Sequence, residues 1–185
     1  MPVLPQHLGN RPLLLEMCLY RDLLQRTTIT PRIDQKMVTA QDSFAIDTTV
    51  HNIHELNEIA AQYGNPGVIL ALQVSMTTKA EALIALNRKM RARREQSLRA
   101  HADVELPTVD LIPLFEEIDA VKSIPAYLDK IWDFALQSRR TDQETQDRFA
   151  EIVSEVFVAG SDLSQQVGQA AGATLYGQAP LYLGL

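Results

Sequence analysis

A chain of 185 residues, 46% hydrophobic and 22% charged, has ordinary globular composition. It is long enough for one hydrophobic core and short for two, and shorter than the roughly 250 residues of a typical eight-stranded β/α barrel. Seventeen basic residues against 23 acidic ones leave a net charge of −6, so no global positive field draws the chain to nucleic acid. The single cysteine, Cys18, excludes an intramolecular disulfide framework and a cysteine-rich zinc site. That usage fits a reducing compartment. No basic segment leads into an apolar stretch with a small-residue cleavage site, so no secretory signal is expected. The longest apolar runs fall far below the ~20 residues of a spanning helix. The expectation is a cytoplasmic protein with no membrane partner.

In chain order, Arg11–Arg26 has apolar positions at Leu15, Leu19, Leu23 and Leu24, which suits a helix with Pro12 in its first turn. Pro31 breaks any continuation. Thr49 reads as the N-cap of a helix through Val50, Ile53, Leu56, Ile59 and Ala60, closed by the turn signal Gly64-Asn65-Pro66-Gly67. Val68–Leu72 is a continuous apolar run expected of a strand covered on both faces. Thr77 or Thr78 then caps a helix to about His101, with Ala80, Leu83, Ile84 and Leu86 as its apolar side. A second strand follows at Val109–Phe115, helices at Ala126–Ser138 and Gln143–Ser154, a third strand at Glu155–Ala159 and a helix at Leu163–Tyr176. The organisation expected is a helical N-terminal segment over 1–66 and β/α units over 67–185.

Strand–helix alternation implies an α/β fold with parallel strands, either a β/α barrel or an open doubly wound sheet. Glycine fingerprints for nucleotide phosphates are absent from the sequence. Ligands of parallel α/β folds sit at the carboxyl ends of the strands. Two of those ends finish in carboxylates, Glu116 or Glu117 on one and Asp162 on the other. Hard oxygen ligands with open positions suit Mg²⁺ or Mn²⁺. Asp162 is equally well placed to cap the helix that begins at Leu163. Ser161 is placed either to bond substrate or to cap the same helix.

Ile112-Pro-Leu-Phe-Glu-Glu-Ile-Asp119, followed by Val156-Phe-Val-Ala-Gly-Ser-Asp162, resembles the paired signatures of phosphoenolpyruvate carboxylase. The first is similar to that family's P-L-F-E-x-[ILV]-[DE] segment, the second to its strand ending in Ser-Asp. Val68-Ile-Leu-Ala-Leu-Gln-Val-Ser-Met-Thr-Thr78 is similar to the strand that ends in Pro-Met-Thr in the shorter archaeal-type enzymes. The resemblance spans Val68–Tyr176. It implies a β/α (TIM-type) barrel, of which this chain would be a part. It also implies Mg²⁺ or Mn²⁺ held by Glu116 and Asp162. The reaction implied is carboxylation of phosphoenolpyruvate by bicarbonate to oxaloacetate and phosphate, in an enzyme that is a homo-oligomer at full length. The alternatives are another metal-dependent lyase or aldolase of pyruvate-type enolates, and an inactive barrel fragment serving as an assembly module.

The sequence departs from the family pattern in its cations. Gly160 stands where the archaeal-type enzymes carry an arginine, and Gln165 where the bacterial and plant enzymes carry a lysine. Anion binding therefore has to come from elsewhere. Gln6-His-Leu-Gly-Asn10 is only faintly similar to the family's histidine segment, and His7 is not assigned that role. The isolated 185 residues are expected to be inactive as a carboxylase.

Elsewhere, Arg88-Lys-Met-Arg-Ala-Arg-Arg94 reads as a solvated helix face. His51 and His54 read as surface or boundary residues. Trp132, Phe134 and Leu136 read as core or interface, and Cys18 as buried packing.

Overall fold

The computed structural model of the protein describes residues 28–39, 43–100, 106–137 and 141–159. Within them the elements run β1 (Arg32–Asp34), α1 (Gln35–Thr39), α2 (Ser43–Gln62), β2 (Ala71–Ser75), α3 (Ala80–Ala100), β3 (Asp110–Phe115), α4 (Ile118–Lys122), α5 (Ile124–Gln137), α6 (Asp142–Ile152) and β4 (Phe157–Val158). The expected helices at Arg11–Arg26 and Leu163–Tyr176 lie outside the described residues, as does Cys18.

The four strands form one parallel sheet in the order β1-β2-β3-β4. This confirms the α/β class and the parallel pairing. Among the described residues the sheet is open. The order advances in one direction with no reversal, so right-handed crossovers carry every connecting helix to the same face. Burial agrees. Ile33, Leu72, Val74, Leu111 and Phe115 alternate along β1, β2 and β3 and join one hydrophobic core with Ile53 and Leu56 of α2, Leu83 and Leu86 of α3, and Ile131 of α5. The Phe115 ring meets Tyr127 of α5 edge-on, 5.2 Å between centroids.

The opposite face is different in kind. Register pairs Arg32 with Gln73 and Gln73 with Ile112. By alternation Asp34, Ser75, Leu114 and Glu116 share that face. It mixes polar and apolar side chains, and Leu114 is buried there outside the main core.

The structure shifts several expected boundaries. β1 lies in a stretch where no strand is expected, because three residues are too few to show a period. β2 begins at Ala71, three residues later than the apolar run. Val68 and Ile69 are buried, but their backbone groups bind elsewhere: Ile29 N–H donates to Val68 O at 2.7 Å, and the Asn57 amide brackets Ile69 N and O at 2.8 Å each. Apolarity there marks burial and not ladder pairing. Thr49 sits inside α2, which starts at Ser43, and is not its cap. The end of α2 is as expected: Gly64 takes φ 85°, and the N–H of Asn65 returns to Ala60 O at 3.0 Å.

Candidate functional site at the carboxyl edge of the sheet

Glu116 follows β3 directly, and its side chain lies on the mixed face. The residue is buried, 7% exposed. A buried carboxylate needs partners, and two come from other strands. Arg32 of β1 donates through Nη2 to Oε1 and forms an ion pair with it. The backbone N–H of Met76, just past β2, donates to Oε2 at 2.9 Å.

Met76 has φ 55°, the left-handed region that non-glycine residues rarely occupy. The turn around it is held on both sides. Thr77 N–H donates to Leu114 O at 3.2 Å, and Thr77 Oγ1 donates to Val74 O at 2.8 Å. Ser75 Oγ donates to Ile33 O at 3.0 Å. The ends of β1, β2 and β3 are thus tied together by side chain and backbone.

The segment leading into α3 is bound from a distance. Gln35, the first residue of α1, accepts through Oε1 from Thr78 N at 2.8 Å and Lys79 N at 3.1 Å, while its Nε2 donates to Thr78 Oγ1 at 3.0 Å. Thr77 and Thr78 were expected as caps; the Thr77 hydroxyl bonds backward into β2 instead.

Of the expected site residues, Glu116 is at the strand end as read. Glu117 is exposed, at the N-cap position of α4, with no side-chain cap bond. Asp162, Ser161, Gly160, Gln165 and His7 lie outside the described residues. Ala159, the last described residue, pairs beside the end of β3, its N–H donating to Phe115 O at 3.0 Å. Arg32, Gln35 and Met76 were missed by sequence reading. Arg32 lies 84 positions from Glu116, and no local spacing pattern links them.

Among the described residues no three His, Cys, Asp or Glu side chains are grouped to hold a metal ion. Glu116 is a hard oxygen donor of the right chemistry. Its Oε1 carries the Arg32 guanidinium and its Oε2 the Met76 amide. A cavity of about 120 Å³ lined by Arg91, Arg94, Glu95, Thr108 and Glu151 lies beside the amino end of β3, away from Glu116.

The cation run on α3 is not a free solvated face. Arg88 lies over the Phe134 ring at 4.7 Å, Lys89 pairs with Asp47, Arg91 with Glu151, and Arg93 with Glu58. Arg94 Nη2 donates to Leu106 O at 2.8 Å. His51 is exposed beside Glu55, as expected, but His54 is buried. Phe134 packs against the core, whereas Trp132 and Leu136 are partly exposed, Trp132 with its ring 5.6 Å from Phe149. No protein-family model, no curated protein and no solved structure matches the chain.

Proposed function

We propose that these residues form part of a phosphoenolpyruvate carboxylase-like β/α barrel enzyme of the cytoplasm, with its site at the carboxyl edge of the sheet. The observation that carries this reading is the hydrogen bond from Met76 N–H to Glu116 Oε2. It joins the two segments, Met-Thr-Thr and Pro-Leu-Phe-Glu, that carry the family resemblance independently. The one-directional strand order supports the barrel, since a sheet that never reverses leaves one face for helices and one for an interior.

In this reading Glu116 and Asp162 hold Mg²⁺ or Mn²⁺, Ser161 contacts substrate, and Arg32 supplies the cation that Gly160 and Gln165 do not. Bicarbonate oxygen attacks the phosphoryl group of phosphoenolpyruvate and the bond to the enol oxygen breaks, giving carboxyphosphate and the enolate of pyruvate. The enolate carbon then takes the carboxyl carbon, and phosphate leaves. A divalent cation, when bound, stabilises the negative charge that develops on the enolate oxygen. Glu116 is held in place by the Met76 amide, and Arg32 offsets substrate negative charge.

Mn²⁺ titration tests the site. Glu116→Gln and Asp162→Asn should each weaken Mn²⁺ binding by about tenfold or more, and phosphoenolpyruvate should bind the Mn²⁺-loaded protein. If Asp162→Asn binds Mn²⁺ normally but melts earlier, Asp162 is a helix cap and the metal assignment fails. Absence of phosphoenolpyruvate binding to the loaded protein removes the substrate assignment.

A further inference from the structure

On the covered face each long helix packs against the next as the strands advance, α2 on α3 and α3 on α5. From α5, Lys130 bonds Glu81 of α3 at 3.0 Å, and the Phe134 ring lies under Arg88 of α3. Leu128, Trp132 and Leu136, spaced by four, form the opposite flank of α5. Leu128 is partly buried against the core. Trp132 and Leu136 remain 38% and 50% exposed, although the Trp132 ring already meets Phe149. An uncovered apolar stripe of this kind marks an interaction surface.

The chain itself supplies a matching segment. β4 and Ala159 bring it to the carboxyl edge of the sheet, near which α5 also begins, with Tyr127 against the Phe115 ring. Residues 163–185 contain no Asp, Glu, Lys, Arg or His, in a chain that is 22% charged. A stretch without charge makes a poor solvated surface. Leu163, Val167, Ala171 and Leu175 recur every fourth residue, with Ala170 beside them. Leu163–Tyr176 has the same 14 residues as α5, about 21 Å at helical rise.

We propose that residues 163–176 dock as a helix along the Leu128–Trp132–Leu136 flank of α5. Begun at the same edge and run in the same direction, they set Val167 beside Leu128, Ala171 beside Trp132 and Leu175 beside Leu136. The large ring then meets the smallest side chain of the facing stripe, so the two surfaces interlock. Asp129 and Asp133, exposed acids that border the flank, meet no charge on this segment. A second copy of the flank would bring those acids against their own kind. The inference does not depend on the chemistry assigned to Glu116.

Trp132 is the one tryptophan, so fluorescence of the full chain reads this flank directly. Acrylamide should quench the wild-type protein weakly. Val167→Asp and Ala171→Asp should each move the emission to the red and strengthen quenching. Gln169→Asp, on the opposite side of the segment, should do neither. Emission and quenching that are indifferent to both Val167→Asp and Ala171→Asp overturn the proposal. A second measurement needs no disruptive charge, because a disulfide closes only between Cα atoms within about 7 Å. In a Cys18→Ser background, Leu128→Cys with Val167→Cys should oxidise to a bond within one chain, and Leu128→Cys with Gln169→Cys should not. A bond between two chains assigns the flank to a second copy. Preferential closure of Val167→Cys with Phe157→Cys puts the segment on the mixed face of the sheet. Either result overturns the proposal.

Discussion

At α2–α3 a titratable side chain is buried without a counter-charge of its own. His54 bonds the backbone of Met90, its Nε2 has no hydrogen-bond partner, and burial, followed by the nearby Arg93 charge, lowers its pKa to about 4. Glu58, which favours the charged form, is outweighed, and Arg94 adds to the lowering. The unfolded chain, with an ordinary histidine near 6.5, therefore binds a proton between about pH 4 and 6.5 that the folded chain refuses. Stability from this residue is complete above about pH 6.5 and is lost as pH falls toward 4, by roughly 3 kcal/mol in all. Chemical denaturation across pH 4.5–7 should show that slope, and His54→Leu should flatten it. An unchanged slope in the variant would assign it to the carboxylates instead. None of this is legible in His-x-x-His spacing, because which of the two histidines faces α3 depends on how α2 is rotated. Glu116 was legible for the opposite reason: a carboxylate directly after an apolar strand has one place to go. Its cationic partner was not, since only the folded sheet brings Arg32 across from β1.

Among the elements, α6 carries its own start signal. Thr141 Oγ1 accepts from Glu144 N at 3.2 Å while Glu144 Oε2 accepts from Thr141 N at 3.2 Å, a reciprocal capping box. Thr141→Ala should lower stability by about 1 kcal/mol, and Thr141→Ser should recover most of it; equal melting of all three proteins would show that tertiary packing alone sets this end. The expected start at Gln143 lies one residue from the observed Asp142, and the Thr-x-x-Glu pattern that marks this start is local in the sequence, although the expectation did not rest on it. α3 is the contrast. The segment leading into it is bound by Gln35 from 43 positions away, and the Thr77 hydroxyl bonds back into β2. β2 was displaced because burial and pairing are separate properties: Val68 and Ile69 have the first without the second. Local chemistry is readable where an element satisfies itself, and unreadable where another element does so.

For the molecule as a whole, alternation of apolar runs with helical periods was enough to give parallel strands and the α/β class. It was not enough to decide how the sheet ends, because closure depends on strand number and tilt, which one-dimensional periodicity does not carry. No helix among the described residues is long and apolar enough to cross a membrane. The one-sided core has a further consequence for how this sequence tolerates change. Along β2, Leu72 and Val74 face the packed helices while Ala71 and Gln73 face away. A saturation scan should therefore give a fitness trace that oscillates every second residue, with Leu72→Ala and Val74→Ala each costing about 2–4 kcal/mol and polar replacements of Ala71 and Gln73 nearly silent. Ser75 and Glu116, on the permissive side, should stand out as exceptions to that rhythm. Constraint at those two positions comes from the bonds that tie the strand ends together, Ser75 to Ile33 O and Glu116 to Arg32 and Met76, and not from helix packing.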